Sequence, residues 1–311
     1  MKKLTAILAV VLATVMLSGC GKNELSVPSE IVIEGAPTNE AENSVFPVKL
    51  PDGTEIKSAP ERCASLSPAV TEIIAELGYS DRLCAVSRYC DFPEGLTLPQ
   101  AGSSENPDID KLTGLAPEVL FTLSPLAERE VYALEQAGIT VVNLAAPCSV
   151  EDYGALYGRI AAVFGGEEAG KAAAEKAVSG LKSAASALES CTFVYVTPKL
   201  TAAGADTFES AVLSLFGENL CSGTGYVAPG GASGEDAESS GSFTDVPQYI
   251  FAADSLTEAD ISSVGTYKEI ISGGAQVVFL PAERFERPSA RLAEVFSAIS
   301  GEPAEHQTAE E

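Results

Sequence analysis

Three of the chain's eight arginines fall in one short stretch, "FLPAERFERPSARLAEVF", as Arg284, Arg287 and Arg291. Phe285 and Glu286 sit among them, directly after an apolar run, in a chain of 311 residues whose net charge is −25. A guanidinium is a permanent, planar fork of donors that matches carboxylates, phosphates and amide carbonyls. The cluster is therefore either a ligand edge or a solvated loop and helix start whose arginines bridge local carboxylates. Three other stretches have similar promise. "SLSPAVTE" runs from Ser65 to Glu72, where strand passes to helix at Ser67 and Pro68, and the backbone N–H groups of this stretch offer donors to a polar ligand edge. "SRYCDFPEG" places Tyr89 and Phe92 beside Asp91, rings that either stack on a flat ligand or plug a core edge. "GSSENPD", containing Ser104, is small and polar throughout.

The absences narrow the chemistry. The single histidine is His306, in the tail. That removes Ser-His and Cys-His nucleophile pairs and histidine-based zinc sites. No G-x-S-x-G or P-loop pattern occurs. "SGLK", Ser179 to Lys182, matches S-x-x-K but has no S-D-N or K-T-G companion and lies inside a helical run. The negative charge leaves nothing basic to neutralise phosphates of nucleic acid. No C-x-x-C is present, and the spacing of Cys63, Cys84, Cys90, Cys148, Cys191 and Cys221 dictates no disulfide pairing. Carboxylates are abundant, so an enzyme built on an Asp/Glu pair stays open. A buried pair with raised pKa in a cleft would favour it; a cleft lined by Phe and Arg would favour binding.

The elements that must position these residues follow from pattern. Lys2 and Lys3 precede a small, apolar run that ends "LSGC", so residues 1–19 read as a secretory signal. Residues 20–43 are a polar, aperiodic tether. From 44 to 148 the chain shows a hairpin around Pro-Asp-Gly and then strands alternating with helices, the pattern of a parallel α/β lobe. Residues 149–190 are helical, broken at Gly165-Gly166, the second piece long enough to act as a rigid spacer. Alternation resumes over 191–300, interrupted by a Gly-, Ser- and acid-rich loop at 222–242, and a polar tail occupies 301–311. The fold class expected is two Rossmann-like α/β lobes joined by a long rigid helix, with a ligand at the carboxyl ends of the strands.

"ERCASLSPAVTEIIAELG", "AVSRYCDFPE" and "NPDIDKLTGLAPEVLF", in this order, resemble the N-terminal lobe of the Fe/B12-type periplasmic binding proteins of ABC importers. "TFESAVLSLFGENLC" and "RFERPSARLAEVF" are similar to the matching C-terminal segments, and "FERPSAR" looks most like the vitamin B12-binding member. "LSGC" resembles the lipobox of bacterial lipoproteins, which implies lipidation at Cys20 and anchoring to the outer face of the bacterial cell membrane. The resemblance implies a bilobed protein with little hinge closure that performs no chemistry. It implies a corrinoid ligand, with an iron–siderophore or haem as the alternative, and the metal arrives inside the ligand rather than as a cofactor. It places Tyr89, Phe285, Glu286 and Arg287 at the ligand, with Phe285 offering an apolar face and Glu286 alternatively holding Arg287. For haem, Tyr89 or Tyr226 would serve as iron ligand in place of histidine. Cobalamin binders have Trp at the cleft; this chain has none, and Ser104 stands where one is expected. The partners implied are permease subunits, whose arginines would dock on Asp110 in one lobe and on Asp236 or Glu238 in the other, with the protein itself a monomer. A scaffold that keeps the fold without the ligand is a further alternative.

Overall fold

The computed structural model describes residues 45–229, 240–241, 243–289 and 291–300. The signal segment, Cys20, the tether, Asp236, Glu238 and the tail with His306 lie outside the described residues. A hairpin opens the described chain, β1 (Val48–Lys49) against β2 (Glu55–Ile56), closed at Pro51-Asp52-Gly53 as the sequence suggests. Gly53 makes the turn at φ 91°, a conformation that costs glycine little.

The N-terminal lobe alternates strictly. It runs β3 (Cys63–Ser65), α1 (Pro68–Glu76), β4 (Leu83–Val86), α2 (Ile109–Leu115), β5 (Val119–Thr122), α3 (Glu128–Gln136) and β6 (Thr140–Asn143). The strands form one parallel sheet in the order β4-β3-β5-β6. All four residues of β5 are buried, as a strand covered on both faces requires. Successive side chains serve different layers: Phe121 joins the central core, while its neighbour Leu120 packs with Leu112, Leu134 and Ile139 on the outer face.

The connection is α4 (Val150–Ala185), started by Ser149, whose hydroxyl accepts from the Asp152 amide at 3.0 Å. Gly166, at φ 83° and ψ 179°, breaks it where the sequence places a break. The two segments then fold back on one another. A Cβ at Gly154 would meet Val178, one at Gly158 would meet the Gly170 carbonyl at 3.1 Å, and one at Gly170 would meet the Gly158 carbonyl at 2.7 Å. The long helical connection is thus an antiparallel pair in contact at its backbones, stiffer than a lone rod of the same sequence. The second segment, residues 167–185, is roughly 28 Å long.

The C-terminal lobe comprises β7 (Cys191–Val196), β8 (Ala202–Ala203), α5 (Phe208–Leu213), β9 (Gly217–Asn219), β10 (Tyr226–Pro229), β11 (Ser240–Gly241), β12 (Tyr249–Ala253), α6 (Glu258–Ser262), α7 (Gly265–Ser272), β13 (Gln276–Leu280), α8 (Ala282–Phe285) and α9 (Leu292–Ser300). Its sheet has the order β11-β10-β8-β7-β12-β13, with β9 also on β7. β7, β12 and β13 are parallel, and the short β8 turns back antiparallel on the end of β7. Within the loop expected across 222–242, Tyr226–Pro229 is strand β10, which pairs with β8.

One buried cluster holds the molecule together. It joins Ile73 and Phe121 of the first lobe, Tyr157 and Phe164 of α4, and Phe193, Phe251 and Phe296 of the second. Tyr79 stacks on Phe164 at 4.3 Å, and Tyr153 meets Phe208 at 6.1 Å, so α4 is packed into both lobes. Gly170→Val should lower stability by about 1–3 kcal/mol, because its side chain must push apart two helix backbones. Gly180→Ala, where an added Cβ meets nothing within 4 Å, should raise it by about 0.4–1 kcal/mol. Urea midpoints of the two variants check the pair.

Candidate functional site

The loops at the carboxyl ends of the parallel strands in the two sheets meet at one buried carboxylate, Glu72. It lies on α1, seven residues beyond the end of β3, and only 2% of its side chain is accessible. Its Oε2 accepts from the Ser289 hydroxyl at 2.6 Å. Its Oε1 faces Arg287 Nη1 at 3.3 Å and Arg291 Nη1 at 3.4 Å. All three donors belong to the loop and helix start after β13, in the other lobe. Arg287 also reaches back to Asp91, in the loop after β4. Arg291 stands over the Phe92 ring at 4.8 Å, a cation–π contact. Tyr153 on α4 donates to the Ser289 carbonyl at 3.2 Å, and Tyr157 donates to Glu76, the last residue of α1, at 2.5 Å.

A buried ion pair contributes little net stability over an apolar pair, but leaving one member unpaired typically costs 3–5 kcal/mol. Here one buried anion faces two guanidiniums and a hydroxyl, so its charge is fully compensated. Burial opposes the charge on Arg287; Asp91 and then Glu72 more than offset it, and the guanidinium is held above its usual pKa.

The second lobe supplies a cavity beside this junction. Pro198, Asp254, Ser255, Pro281, Glu286 and Arg287 line about 980 Å³ at the ends of β7, β12 and β13. An adjoining cavity of about 300 Å³ is lined by Thr197, Lys199, Thr201, Glu209, Tyr226 and Glu286. Two tyrosine–carboxylate pairs mark it. Tyr226 donates to Glu209 at 2.8 Å, and Tyr195 donates to Glu286 at 3.1 Å. Burial raises the Glu209 carboxyl above its ordinary pKa. Burial also raises Glu286, and the nearby charges of Glu209 and Asp254 add to it. Both tyrosines are pushed upward by burial and then by their carboxylate partners, so both remain phenols.

The residues singled out from sequence separate into groups. Arg287 and Phe92 are brought together at the junction, with Tyr89 nearby on the same loop and 60% accessible. Ser67 precedes α1, almost wholly buried, with Pro68 in the first turn as the sequence suggests. Ser104 is half-buried and shares a 2.9 Å hydrogen bond with Thr122 at the end of β5. Phe285 differs from expectation: it is fully buried, edge-on to Tyr195 at 4.9 Å, so its apolar face belongs to the lobe's interior. The reason is local. α8 is a single turn whose inward positions, Ala282 and Phe285, close the end of the sheet. Glu286 does not hold Arg287; it accepts from Tyr195, and Arg287 takes its carboxylates from the other lobe. Arg284 pairs with Glu294 of α9 at 2.6 Å. Asp110 is exposed in the first turn of α2. Sequence reasoning missed Glu72, Ser289, Tyr195 and Glu209. A signal existed for Glu72, an acid flanked by Val70, Ile73 and Ile74 on a helix with both faces covered. Among the described residues no group of three or more His, Cys, Asp or Glu is placed to hold a metal ion. None of their helices is long and apolar enough to cross a membrane.

Two α/β lobes, one with a parallel and one with a mixed sheet, on a helical connection, with ligand-sized space at the strand ends, define a bilobed binding-protein fold. A family profile described as periplasmic binding protein matches residues 63–271, and the chain belongs to that family. A Bacillus subtilis protein named an uncharacterized ABC transporter substrate-binding lipoprotein is 28% identical over 143 residues, 44% of this chain and 43% of the relative. A vitamin B12-binding protein of Vibrio cholerae is 35% identical over 85 residues, 27% of this chain and 31% of the relative. The matched stretches thus span under half the length of these curated relatives. Solved structures share the fold over most of their length. The vitamin B12-binding protein BtuF of Vibrio cholerae aligns at TM-score 0.54 and 21% identity, covering 78% of this chain and 96% of its own. The haem-binding protein HutB of the same organism aligns at TM-score 0.60 and 18% identity, covering 77% and 97%.

The raised Glu209 carboxyl gives a pH signature. A group that binds its proton more tightly when folded stabilises the fold fully below its unfolded pKa, near 4.5, and loses that contribution as pH rises through its folded value. The stability of the wild type relative to Glu209→Gln should therefore be greatest near pH 4 and decline toward pH 7, as read from urea midpoints across that range.

Proposed function

We propose that the chain is the lipid-anchored, extracytoplasmic substrate-binding component of an ABC importer, which holds a corrinoid at the strand-end junction and delivers it to a permease. The observation that carries this reading is the junction itself. Loops from both sheets converge on Arg287 and Arg291, with Phe92 under Arg291, the exposed Tyr89 on the same loop as Phe92, and a 980 Å³ cavity adjoining. That is a surface for a large ligand with both flat and polar edges. Tyr89 supplies an aromatic face and Arg287 a polar fork, and Ser104, bonded to Thr122, stands where the resemblance expects a Trp. Glu209 and Glu286 supply acceptors for amide or hydroxyl donors on the ligand. The names of the relatives, one a vitamin B12-binding protein and one an ABC transporter substrate-binding lipoprotein, support the same role.

Two other readings rest on specific observations. An iron–siderophore or haem is favoured by the accessible tyrosines Tyr89 and Tyr226, the latter 52% exposed at the smaller cavity. An enzyme built on carboxylates is favoured by Glu209 and Glu286, two raised carboxyls lining one cavity. Each of these, however, holds a tyrosine hydroxyl, which suits an acceptor wall better than an acid–base pair. Lipidation at Cys20 and permease docking through Asp110 and Glu238 complete the proposed role.

Isothermal titration with cobalamin, cobinamide, haem and ferric siderophores tests it. Sub-micromolar binding of cobalamin is expected, and tight binding of haem or a siderophore instead would select the alternative. Tyr89→Ala should weaken binding of the active ligand about two- to ten-fold while leaving the urea midpoint in place, since the ring is exposed. Absence of binding by all four would sink the reading.

A further inference from the structure

The carboxylates that share Arg287 are unequal, and the inequality bears on ligand choice. Glu72 is 2% accessible and bonded to three groups of the opposite lobe. Asp91 is 45% accessible and has Arg287 as its only ion-pair partner among the described residues. Arg287 itself retains 19% accessibility and lines the larger cavity. The loop that carries Asp91 has a separate attachment, because Phe92 is held under Arg291. Asp91 can therefore rotate away from Arg287 while its loop stays docked and while Glu72 still compensates the buried charge.

We propose that Asp91 is a displaceable counter-ion, occupying Arg287 in the empty protein and yielding it to an anionic oxygen group, carboxylate or phosphate, on the rim of the bound ligand. The assignment rests on the binding reading above and adds to it a specificity-determining residue. Asp91 is open to water and can be rehydrated when it leaves the guanidinium, whereas Glu72 is closed off and cannot. The exchange keeps the junction's charge balance: one anion leaves the guanidinium as another arrives. A ligand without an anionic rim leaves Asp91 in place and loses the contact to Arg287.

Two ligand pairs that differ in this anion separate the outcomes: cyanocobalamin against dicyanocobinamide, which lacks the phosphate-bearing nucleotide loop, and haemin against its dimethyl ester. Affinities are measured for the full-length protein and for Asp91→Asn. In whichever pair binds, Asp91→Asn should raise the affinity ratio of the anionic over the esterified or truncated member about two- to five-fold, because the competing charge is gone. An unchanged or lowered ratio in a protein that still binds overturns the displacement and leaves the binding reading intact. Failure of all four ligands to bind the unaltered protein overturns the displacement, and failure of ferric siderophores as well overturns the binding reading with it. A urea midpoint lowered as much by Asp91→Asn as by Glu72→Gln also counts against the proposal, since Asp91 would then be a structural partner.

Discussion

The molecule turns on one buried charge. Glu72 sits on the first helix of the N-terminal lobe, closed off from water, and a buried carboxylate is costly unless it is paired and hydrogen-bonded. Among the described residues its side-chain partners come from the far end of the chain: Arg287, Ser289 and Arg291. The requirement therefore does three things at once. It fixes the last loop against the first helix, brings the carboxyl ends of two separate sheets face to face, and sets a guanidinium at the edge of a cavity. Apolar packing across α4 could hold the lobes together by itself, but it would not specify which loops meet.

The helical connection makes that meeting durable. Backbone contact between its two segments at Gly158 and Gly170 leaves little freedom to bend. Tyr153 and Tyr157 carry the connection's polar links to Ser289 and Glu76, one in each lobe. With one continuous core through both lobes, wide hinge motion would break buried apolar contacts and buried hydrogen bonds together. Such a frame suits a site that changes by rotation of side chains rather than by closure of domains.

Much of the fold was legible. Helical spacing of Val70, Ile73, Ile74 and Leu77, the Pro-Asp-Gly turn and the break at Gly165-Gly166 are local signals, and each element appears where its pattern lies. The folding back of α4 was harder to read, since Gly154, Gly158 and Gly170 look like poor helix formers until a partner backbone explains them. The site was legible only in part. Arg287, Tyr89 and Phe92 stand out by type. The carboxylate partners of Arg287 lie 196 and 215 residues away, and periodicity carries no information about such pairs. Phe285 was misread for a related reason: an aromatic after a strand looks the same in sequence whether its one-turn helix aims it outward or into the sheet's end.

The most direct measurement on the central claim is a double-mutant cycle between Glu72→Gln and Arg287→Gln, read as unfolding free energy in urea. If one buried carboxylate joins the lobes, the two substitutions are strongly non-additive. The coupling should then reach about 1–3 kcal/mol, because once one member is neutral the other has less to lose. Additive effects, with coupling under about 0.3 kcal/mol, would show that the lobes are joined by apolar packing alone and would contradict the account.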